Sequence, residues 1–82
     1  MPTVTPQQVE ERVIEAVASF GPEKEDVVRD ATFESLDVDS LDLVELGQIV
    51  QEEYGVELKG EDMPKLKTVG DAVDLIAERA GV

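Results

Sequence analysis

The residues with the clearest chemical potential lie in one short acidic stretch, Asp37-Val38-Asp39-Ser40-Leu41-Asp42, just before an apolar pattern of helical period. The stretch places three carboxylates around a single hydroxyl. Such a set could bind a cation, cap the start of a helix, or offer the Ser40 hydroxyl for covalent attachment of another group. Spacing and position in the chain distinguish these three interpretations.

A calcium loop of the EF-hand type is excluded by the spacing. A loop begun at Asp37 would need ligands at its first, third, fifth and twelfth positions and a glycine at its sixth. The fifth position is Leu41, the sixth is Asp42 and the twelfth is Gln48. The turn-forming glycine and the bidentate carboxylate are both missing. We therefore expect no dedicated metal site, and at most weak divalent-cation binding at Asp39 and Asp42.

Helix capping explains part of the stretch. Asp39 or Ser40 would accept hydrogen bonds from the first turn of the helix that follows. A cap does not explain why a hydroxyl stands at the end of a long loop. It also does not explain Leu41 and Val44, two apolar residues that fall outside the buried stripe of the predicted helix.

Histidine and cysteine are absent from the chain, which removes the usual general base, the usual metal ligands and every thiol nucleophile. The three serines, Ser19, Ser35 and Ser40, therefore have no histidine partner for a hydrolytic triad. We expect that the protein is not an enzyme.

The charge balance is strongly acidic, because 20 acidic residues against 7 basic ones give 7 − 20 = −13. Nucleic acid is excluded as a partner, since phosphate backbones bind surfaces rich in Lys and Arg. Basic patches on partner proteins are the natural complement. The N-terminal segment has no secretion signal and no apolar run could span a bilayer, so we expect a cytoplasmic protein without membrane contact.

Three stretches of helical period, each with its own start and stop signals, predict an all-α fold. They run from Thr5 to Gly21, from Ser40 to Gly55 and from Thr68 to Gly81. In the first and last, a Gln or Asp stands three residues after a Thr, as in a capping box. A chain of 82 residues is long enough for one domain and no more.

The connection between the first two helices has no sustained period. Because so long a loop is unusual in a compact domain, we expect Phe33 and Leu36 to insert into the core and residues 23–27 to form a helical turn. Residues 61–66 can supply one or two turns at most. The prediction is a single domain over residues 1–82, an antiparallel four-helix bundle with three longer helices, one short helix and a long loop between helices 1 and 2.

The second predicted helix carries an exposed apolar spot. On a helical wheel, Leu41 and Val44 share a face with Gln48. Acidic residues surround that face, namely Asp42, Glu45, Glu52 and Glu53. The pattern therefore predicts a small apolar surface with a negative border.

The stretch DVDSLDLVEL resembles the Asp-Ser-Leu signature of acyl carrier proteins, whose serine carries a 4′-phosphopantetheine arm. The resemblance extends over nearly the whole chain, through EERVIEAVASF, EDVVRDATFESLDVDSLDLVELGQIVQEEYGVEL and KTVGDAVDLI. The tripeptide alone is a weak signal. At a helix start, after a long loop, in an acidic chain of this length, it becomes specific.

The resemblance implies that a phosphopantetheinyl transferase joins the arm of coenzyme A to Ser40, with Asp39 and Leu41 beside the attachment point. Acyl or polyketide intermediates would travel on the arm as thioesters, in fatty acid or polyketide synthesis. Ketosynthase, acyltransferase and other synthase enzymes would dock through basic patches on a monomeric carrier. The implied docking residues are Leu41, Asp42, Val44, Glu45, Gln48, Glu52 and Glu53.

The chain departs from the family pattern at two positions. Asp37 stands where the family most often has glycine; if that position needs a positive φ, Asp is among the few non-glycine residues that tolerate it. Gln48 stands where many members have an apolar residue, which weakens the analogy with fatty-acid-synthase partners. Two alternatives stay open: a carrier for a specialised starter or aminoacyl unit, and an unmodified acidic adaptor that binds a partner through the same helix.

Overall fold

The fold is built from three α-helices that enclose one aliphatic core, and the computed structural model describes it over residues 5–81. The helices are α1 (Pro6–Ala18), α2 (Ser40–Tyr54) and α3 (Val69–Ala80). Two short 3₁₀ segments, Lys24–Asp26 and Gly60–Lys65, lie in the connections. α1 packs against both α2 and α3. The prediction of an all-α bundle with three longer helices and one short one is confirmed.

Capping boxes define the starts of α1 and α3, as the sequence predicts. The Thr5 hydroxyl accepts the Gln8 N–H at 3.1 Å, and the Gln8 side chain accepts the Thr5 N–H at 3.0 Å. Thr68 and Asp71 form the same reciprocal pair, at 3.1 Å in both directions. These bonds satisfy amides that have no partner within the helix, and so they determine where each helix begins.

The helix ends follow the prediction in two cases out of three. Gly55 and Gly81 cap α2 and α3 in the left-handed conformation, with φ of 70° and 81°. α1 instead ends at Ala18, and its cap, Ser19, keeps a right-handed helical conformation. Gly21 has a φ of 137° and lies beyond that cap. The glycine predicted to stop α1 therefore belongs to the turn that follows the helix.

The core is aliphatic and draws on all three helices. The fully buried members include Val9, Val13, Val17, Leu46, Val50 and Ile76. Phe33 and Leu36 are buried with them, which confirms that the long connection inserts into the bundle. Within residues 5–81, no helix is both long enough and apolar enough to cross a membrane.

The long connection is also tied to the start of α3 by backbone hydrogen bonds. These join Phe33 N–H to the Lys67 carbonyl, Val69 N–H to the Ala31 carbonyl and Gly70 N–H to the Arg29 carbonyl, at 2.9 to 3.0 Å. The Arg29 side chain adds bonds to Glu10 at 2.8 Å and to Asp74 at 2.7 Å. Because these bonds fix the middle of the connection, they also help to fix the position of Ser40 at the start of α2.

Gly47 lies buried in the middle of α2, where glycine is the least favourable residue after proline. A Cβ built at this position would lie 3.5 Å from the Leu58 Cβ, which is an ordinary contact. We therefore expect Gly47→Ala to stabilise the unmodified protein by about 0.5–1 kcal/mol, as measured by urea denaturation. A loss of stability would show that Leu58 cannot accommodate the added methyl group.

Candidate functional site

Ser40 is the first residue of α2, and its side chain is exposed. The helix cap is provided by its neighbour Asp39, whose Oδ1 accepts the Asp42 N–H at 3.0 Å. Asp42 Oδ2 accepts the Asp39 N–H in return, at 3.3 Å. The sequence left open whether Asp39 or Ser40 caps the helix, and the structure assigns the cap to Asp39. Capping therefore leaves the Ser40 hydroxyl unoccupied.

The Ser40 hydroxyl differs from the other two serine hydroxyls in its bonding. Ser35 Oγ donates to the Thr32 carbonyl at 2.8 Å, and Ser19 Oγ donates to the Ala16 carbonyl. No hydrogen bond within residues 5–81 uses the Ser40 hydroxyl. Ser40 thus presents a hydroxyl that is exposed and not engaged by the chain, as reaction with an external reagent requires.

The backbone around Ser40 favours a negative group. The first turn of an α-helix has N–H groups without helical partners and the positive end of the helix dipole. The Asp39 carboxylate accepts a hydrogen bond from the Asp42 N–H. The Asp39 carbonyl accepts one from the Leu43 N–H, at 3.1 Å. The preceding amides, those of Ser40 and Leu41, are left for solvent or an anion. A phosphate ester on Ser40 fits this end of the helix.

Asp37 lies in the turn that leads into α2. Its φ is +58°, the one positive φ among the non-glycine residues that the structure describes, and Asp is among the few residue types that tolerate this conformation. Its N–H donates to the Glu34 carbonyl at 3.1 Å, and the next N–H, of Val38, donates to the Phe33 carbonyl at 2.9 Å. These two bonds close the turn that leads into Asp39 and Ser40.

Substitutions at Asp37 test the role of this left-handed residue. We expect Asp37→Val to lower the free energy of unfolding by about 1–2 kcal/mol, because a β-branched side chain clashes with the backbone at positive φ. Asp37→Gly, which is free to adopt that φ, serves as the control and should retain stability. Equal stability of the two variants in chemical denaturation would contradict the assigned conformation.

Five of the predicted docking residues lie together on the exposed side of α2, and we name this set the α2 ridge. It consists of Leu41, Val44, Glu45, Gln48 and Glu52. Leu41 is 77% exposed and Val44 is 48% exposed, which confirms that both lie outside the core. Neither Glu45 nor Glu52 forms an ion pair within residues 5–81. The ridge therefore offers apolar and acidic groups together.

The two other predicted docking residues have partners within the chain. Asp42 is half-buried and belongs to the capping box of α2. Glu53 Oε2 lies 2.6 Å from Arg12 Nε, so this acid faces α1 at the edge of the ridge. The pairing with Arg12 was not predicted from the sequence, because no periodic pattern links residues so far apart in the chain.

A cleft of about 270 Å³ runs beside the α2 ridge, between α2 and the chain that follows it. Its lining includes Val44, Gly47, Gln48 and Gln51 from α2, and Leu58 and Met63 from the opposite wall. Ser40, Val44, Gly47 and Gln51 follow one another at intervals of four, three and four residues, which is one face of an α-helix. The cleft and the Ser40 side chain therefore lie on the same face of α2. This cleft was not predicted from the sequence.

An ion pair holds the far wall of the cleft in place. Asp62 is only 1% exposed, and its two oxygens accept from Arg79 Nη1 at 2.6 Å and Nη2 at 2.8 Å. Asp62 also accepts the Lys59 N–H at 2.9 Å, and Arg79 donates to the Glu57 carbonyl at 3.1 Å. This two-point contact fastens the second 3₁₀ segment to the last turn of α3.

The same ion pair predicts a specific dependence of stability on pH. Hydrogen bonds from Arg79 and from the Lys59 N–H lower the pKa of Asp62 from 3.8 to about 2. A carboxyl whose pKa is lower in the folded state stabilises the fold above its unfolded pKa and loses that contribution as pH falls. We therefore expect this contribution to be present above about pH 4 and to be lost between about pH 4 and pH 2.

Denaturation of the wild-type protein and of Asp62→Asn across this pH range measures the effect. The variant cannot ionise at this position, so its stability should be lower at neutral pH and should fall less steeply with acid. Parallel curves for the two proteins would contradict the assigned role of Asp62.

Comparison with known proteins agrees with this geometry. The family model described as "Phosphopantetheine attachment site" matches residues 11–76, a range that contains Ser40. The acyl carrier protein of Rickettsia canadensis (strain McKiel) is 39% identical over 77 residues, which cover 92% of this chain and 90% of that protein. The acyl carrier protein of Rickettsia rickettsii (strain Iowa) matches with the same 39% identity and the same coverage. The chain therefore belongs to the acyl carrier protein family, whose members hold a 4′-phosphopantetheine group and serve as carriers, not as catalysts.

Proposed function

We propose that the protein carries acyl intermediates as thioesters on a 4′-phosphopantetheine arm attached to Ser40. The observation that carries this proposal is the exposed Ser40 hydroxyl at the first residue of α2, without a partner in residues 5–81. The hydroxyls of Ser19 and Ser35 are engaged with backbone carbonyls. The chain contains no cysteine, so a thiol for thioester chemistry must come from an attached group.

Attachment of the arm is a displacement at phosphorus. Ser40 Oγ forms a bond to the β-phosphorus of coenzyme A, the P–O bond within the pyrophosphate breaks, and adenosine 3′,5′-bisphosphate leaves. The carboxylates of Asp39 and Asp42 are engaged in the capping box, and the chain has no histidine. We therefore assign the base that accepts the serine proton to the phosphopantetheinyl transferase. This chain supplies the attacking oxygen and the positive helix end that favours the new phosphodiester.

The α2 ridge is the proposed docking surface for the transferase and for ketosynthase, acyltransferase and other synthase enzymes with basic patches. Glu45 and Glu52 supply negative charge that no ion pair within residues 5–81 engages, and Leu41 and Val44 supply apolar contact close to Ser40. Charge complementarity speeds the encounter more than it prolongs the complex, as a carrier that visits several enzymes requires. Asp42 and Glu53 add to the negative field while they keep their contacts within the chain.

We further propose that the carrier is a monomer of the cytoplasm and serves fatty acid or polyketide synthesis. Within residues 5–81, the large apolar side chains that are exposed are Val28, Leu41 and Val44, which is too little apolar surface for a stable dimer interface. Light scattering coupled to size-exclusion chromatography should give the mass of one chain, 8.9 kDa. Twice that mass would contradict the monomer.

Intact-mass spectrometry tests the carrier function directly. The purified chain is incubated with coenzyme A and a phosphopantetheinyl transferase of broad specificity. We expect every molecule to gain the mass of one phosphopantetheine group, because one serine offers a free hydroxyl at a helix start. An unmodified adaptor would gain nothing, and that result would refute the proposal. The mass of any acyl group on protein purified from its own host would identify the cargo.

A further inference from the structure

The basic side chains of this acidic chain fall into two groups. Each of the three arginines pairs with a carboxylate of the chain, at 2.6 to 2.8 Å. The lysines differ, because all of them are exposed and none forms an ion pair within residues 5–81. They are Lys24, Lys59, Lys65 and Lys67. The arginines therefore support the fold, whereas the lysine charges are available to a partner.

Three of the four lysines belong to residues 59–67, which we name the lysine segment. The segment also contains two acids. Asp62 is buried and paired with Arg79, whereas Glu61 is exposed and forms no ion pair within residues 5–81. Three ammonium groups against one free carboxylate give the exposed part of the segment a net charge of +2, that is, 3 − 1. A chain of net charge −13 thus carries a local positive surface.

The backbone of the lysine segment is fixed near both ends. Asp62 accepts the Lys59 N–H at 2.9 Å and binds Arg79 on the last turn of α3. At the other end, the Lys67 carbonyl accepts the Phe33 N–H at 3.0 Å. A partner therefore meets the lysine charges on a support that needs no further ordering, which lowers the entropic cost of binding.

The lysine segment lies beside the α2 ridge. Val44 and Gln48 of the ridge line the 270 Å³ cleft together with Gly60 and Met63 of the segment. An enzyme that covers the ridge therefore also approaches the segment. Because the two surfaces have opposite charge, an evenly basic enzyme surface would be attracted by the ridge and repelled by the lysines.

A second cleft, of about 430 Å³, opens next to Lys67 and shares Met63 with the first. Its lining is mostly apolar, with Phe33, Pro64 and Leu66 beside Met63. Thr32 and Glu34 complete the lining. A free phosphate group would use only the lysine and would be repelled by Glu34, whereas a protein segment could also place an apolar side chain in the cleft. The surroundings of Lys67 therefore favour carboxylates of a protein over a phosphate as its partner.

We propose that the lysine segment docks against an acidic patch on the synthase enzymes that bind the α2 ridge, next to the basic patch that holds the ridge. Two contacts of opposite sign fix the rotation of the carrier on the enzyme, which a single charged patch leaves free. They also exclude enzymes whose basic surface extends over the segment. The inference rests on the proposed carrier function and deepens it by naming the second charge that a partner presents.

Steady-state kinetics with a ketosynthase from the protein's own host test the sign of this contact. The double neutralisation Lys65→Gln/Lys67→Gln makes the carrier more acidic by two charges. A purely basic docking patch would bind this variant more tightly, whereas an acidic patch opposite the lysines would bind it less tightly. We expect the KM for the acylated carrier to rise roughly three- to tenfold at low salt, with little change in kcat. The difference should shrink as salt is added.

Two further variants separate the contact from net charge and from folding. Lys24→Glu makes the same change of two charges on the first 3₁₀ segment, which packs against α1, and its KM should not rise. Lys65→Arg/Lys67→Arg keeps both positive charges and should retain the wild-type KM. An unchanged or lower KM in the glutamine variant would overturn the proposal, and so would an equal rise in Lys24→Glu.

Carbodiimide cross-linking identifies the groups that meet the lysines, because the reagent joins an amine directly to a carboxyl group in contact with it. We expect cross-links from Lys65 or Lys67 to Asp or Glu residues of the ketosynthase and none from Lys24. The absence of cross-links from the lysine segment would overturn the proposal.

Coenzyme A alone tests the other source of negative charge. It should leave the backbone amide resonances of residues 59–67 unshifted, and shifts there would assign the lysines to a phosphate group and overturn the proposal. Intact mass shows before each kinetic assay that the arm and its acyl group are attached, so a failure of the carrier function is recognised separately.

Discussion

Ser40→Ala is expected to abolish the gain in mass when the protein is incubated with coenzyme A and a transferase. The substitution removes the hydroxyl that the structure presents at the start of α2. The expected loss is complete, because the hydroxyls of Ser19 and Ser35 are bonded to carbonyls and neither begins an α-helix. Intact-mass spectrometry at long incubation times measures the modified fraction.

Ser35→Ala is the matched control for this experiment. It removes an exposed serine hydroxyl from the loop that leads into α2, yet it should leave modification intact. Ser40→Ala keeps the capping box between Asp39 and Asp42, so its thermal unfolding should resemble that of the wild-type protein. Modification of the Ser40→Ala variant, or loss of modification in the Ser35→Ala variant, would exclude Ser40 as the attachment point.

The double charge reversal Glu45→Lys/Glu52→Lys is expected to lower the kcat/KM of the transferase for this protein by roughly ten- to a hundredfold at low salt. Both acids are exposed on the α2 ridge and have no ion pair in residues 5–81, so reversal changes the encounter with a basic patch directly. The difference should shrink as salt is added, because salt screens exposed charges.

Glu23→Lys/Glu25→Lys is the control for net charge. It makes the same change in total charge, but on the connection that precedes α2. Its kcat/KM should stay close to the wild-type value. Equal losses in the two double variants would show that overall charge, not the α2 ridge, governs docking. Asp42 and Glu53 are left intact in this experiment, because their reversal would also break the helix cap and the Arg12 pair.

Much of the fold could be predicted because its signals are local. A capping box joins residues three apart, so Thr5 and Thr68 each indicate the start of a helix within a single turn of sequence. A glycine such as Gly55 ends a helix through its own left-handed conformation. Phe33 and Leu36 could be assigned to the core because a long unanchored loop is costly.

The remaining features depend on which elements meet in space. Arg12 and Glu53 stand 41 residues apart and Asp62 and Arg79 stand 17 apart, so no periodic pattern pairs them. The isolated antiparallel β-bridge between Thr32 and Thr68 likewise depends on the packing of the connection against the start of α3.

In the candidate site, too, the features with local signals could be predicted and those that depend on tertiary packing could not. The position of Ser40 at a helix start and the exposure of Leu41 and Val44 were predicted from the sequence. For Asp37, the sequence indicated only that this residue would tolerate a positive φ if the position needed one. The internal partner of Glu53 and the cleft at Gly47 were not predicted. Both depend on the positions of α1 and the second 3₁₀ segment relative to α2, which helical periodicity does not determine.

Fragmentation mass spectrometry of the modified protein determines which serine carries the phosphopantetheine arm. Trypsin cleaves after Arg29 and Lys59, so one peptide, residues 30–59, contains both Ser35 and Ser40. Fragment ions then assign the phosphopantetheine group to one of these two serines. We expect the group to be found on Ser40 alone. A group on Ser35, or a peptide that remains unmodified after full incubation, would contradict it.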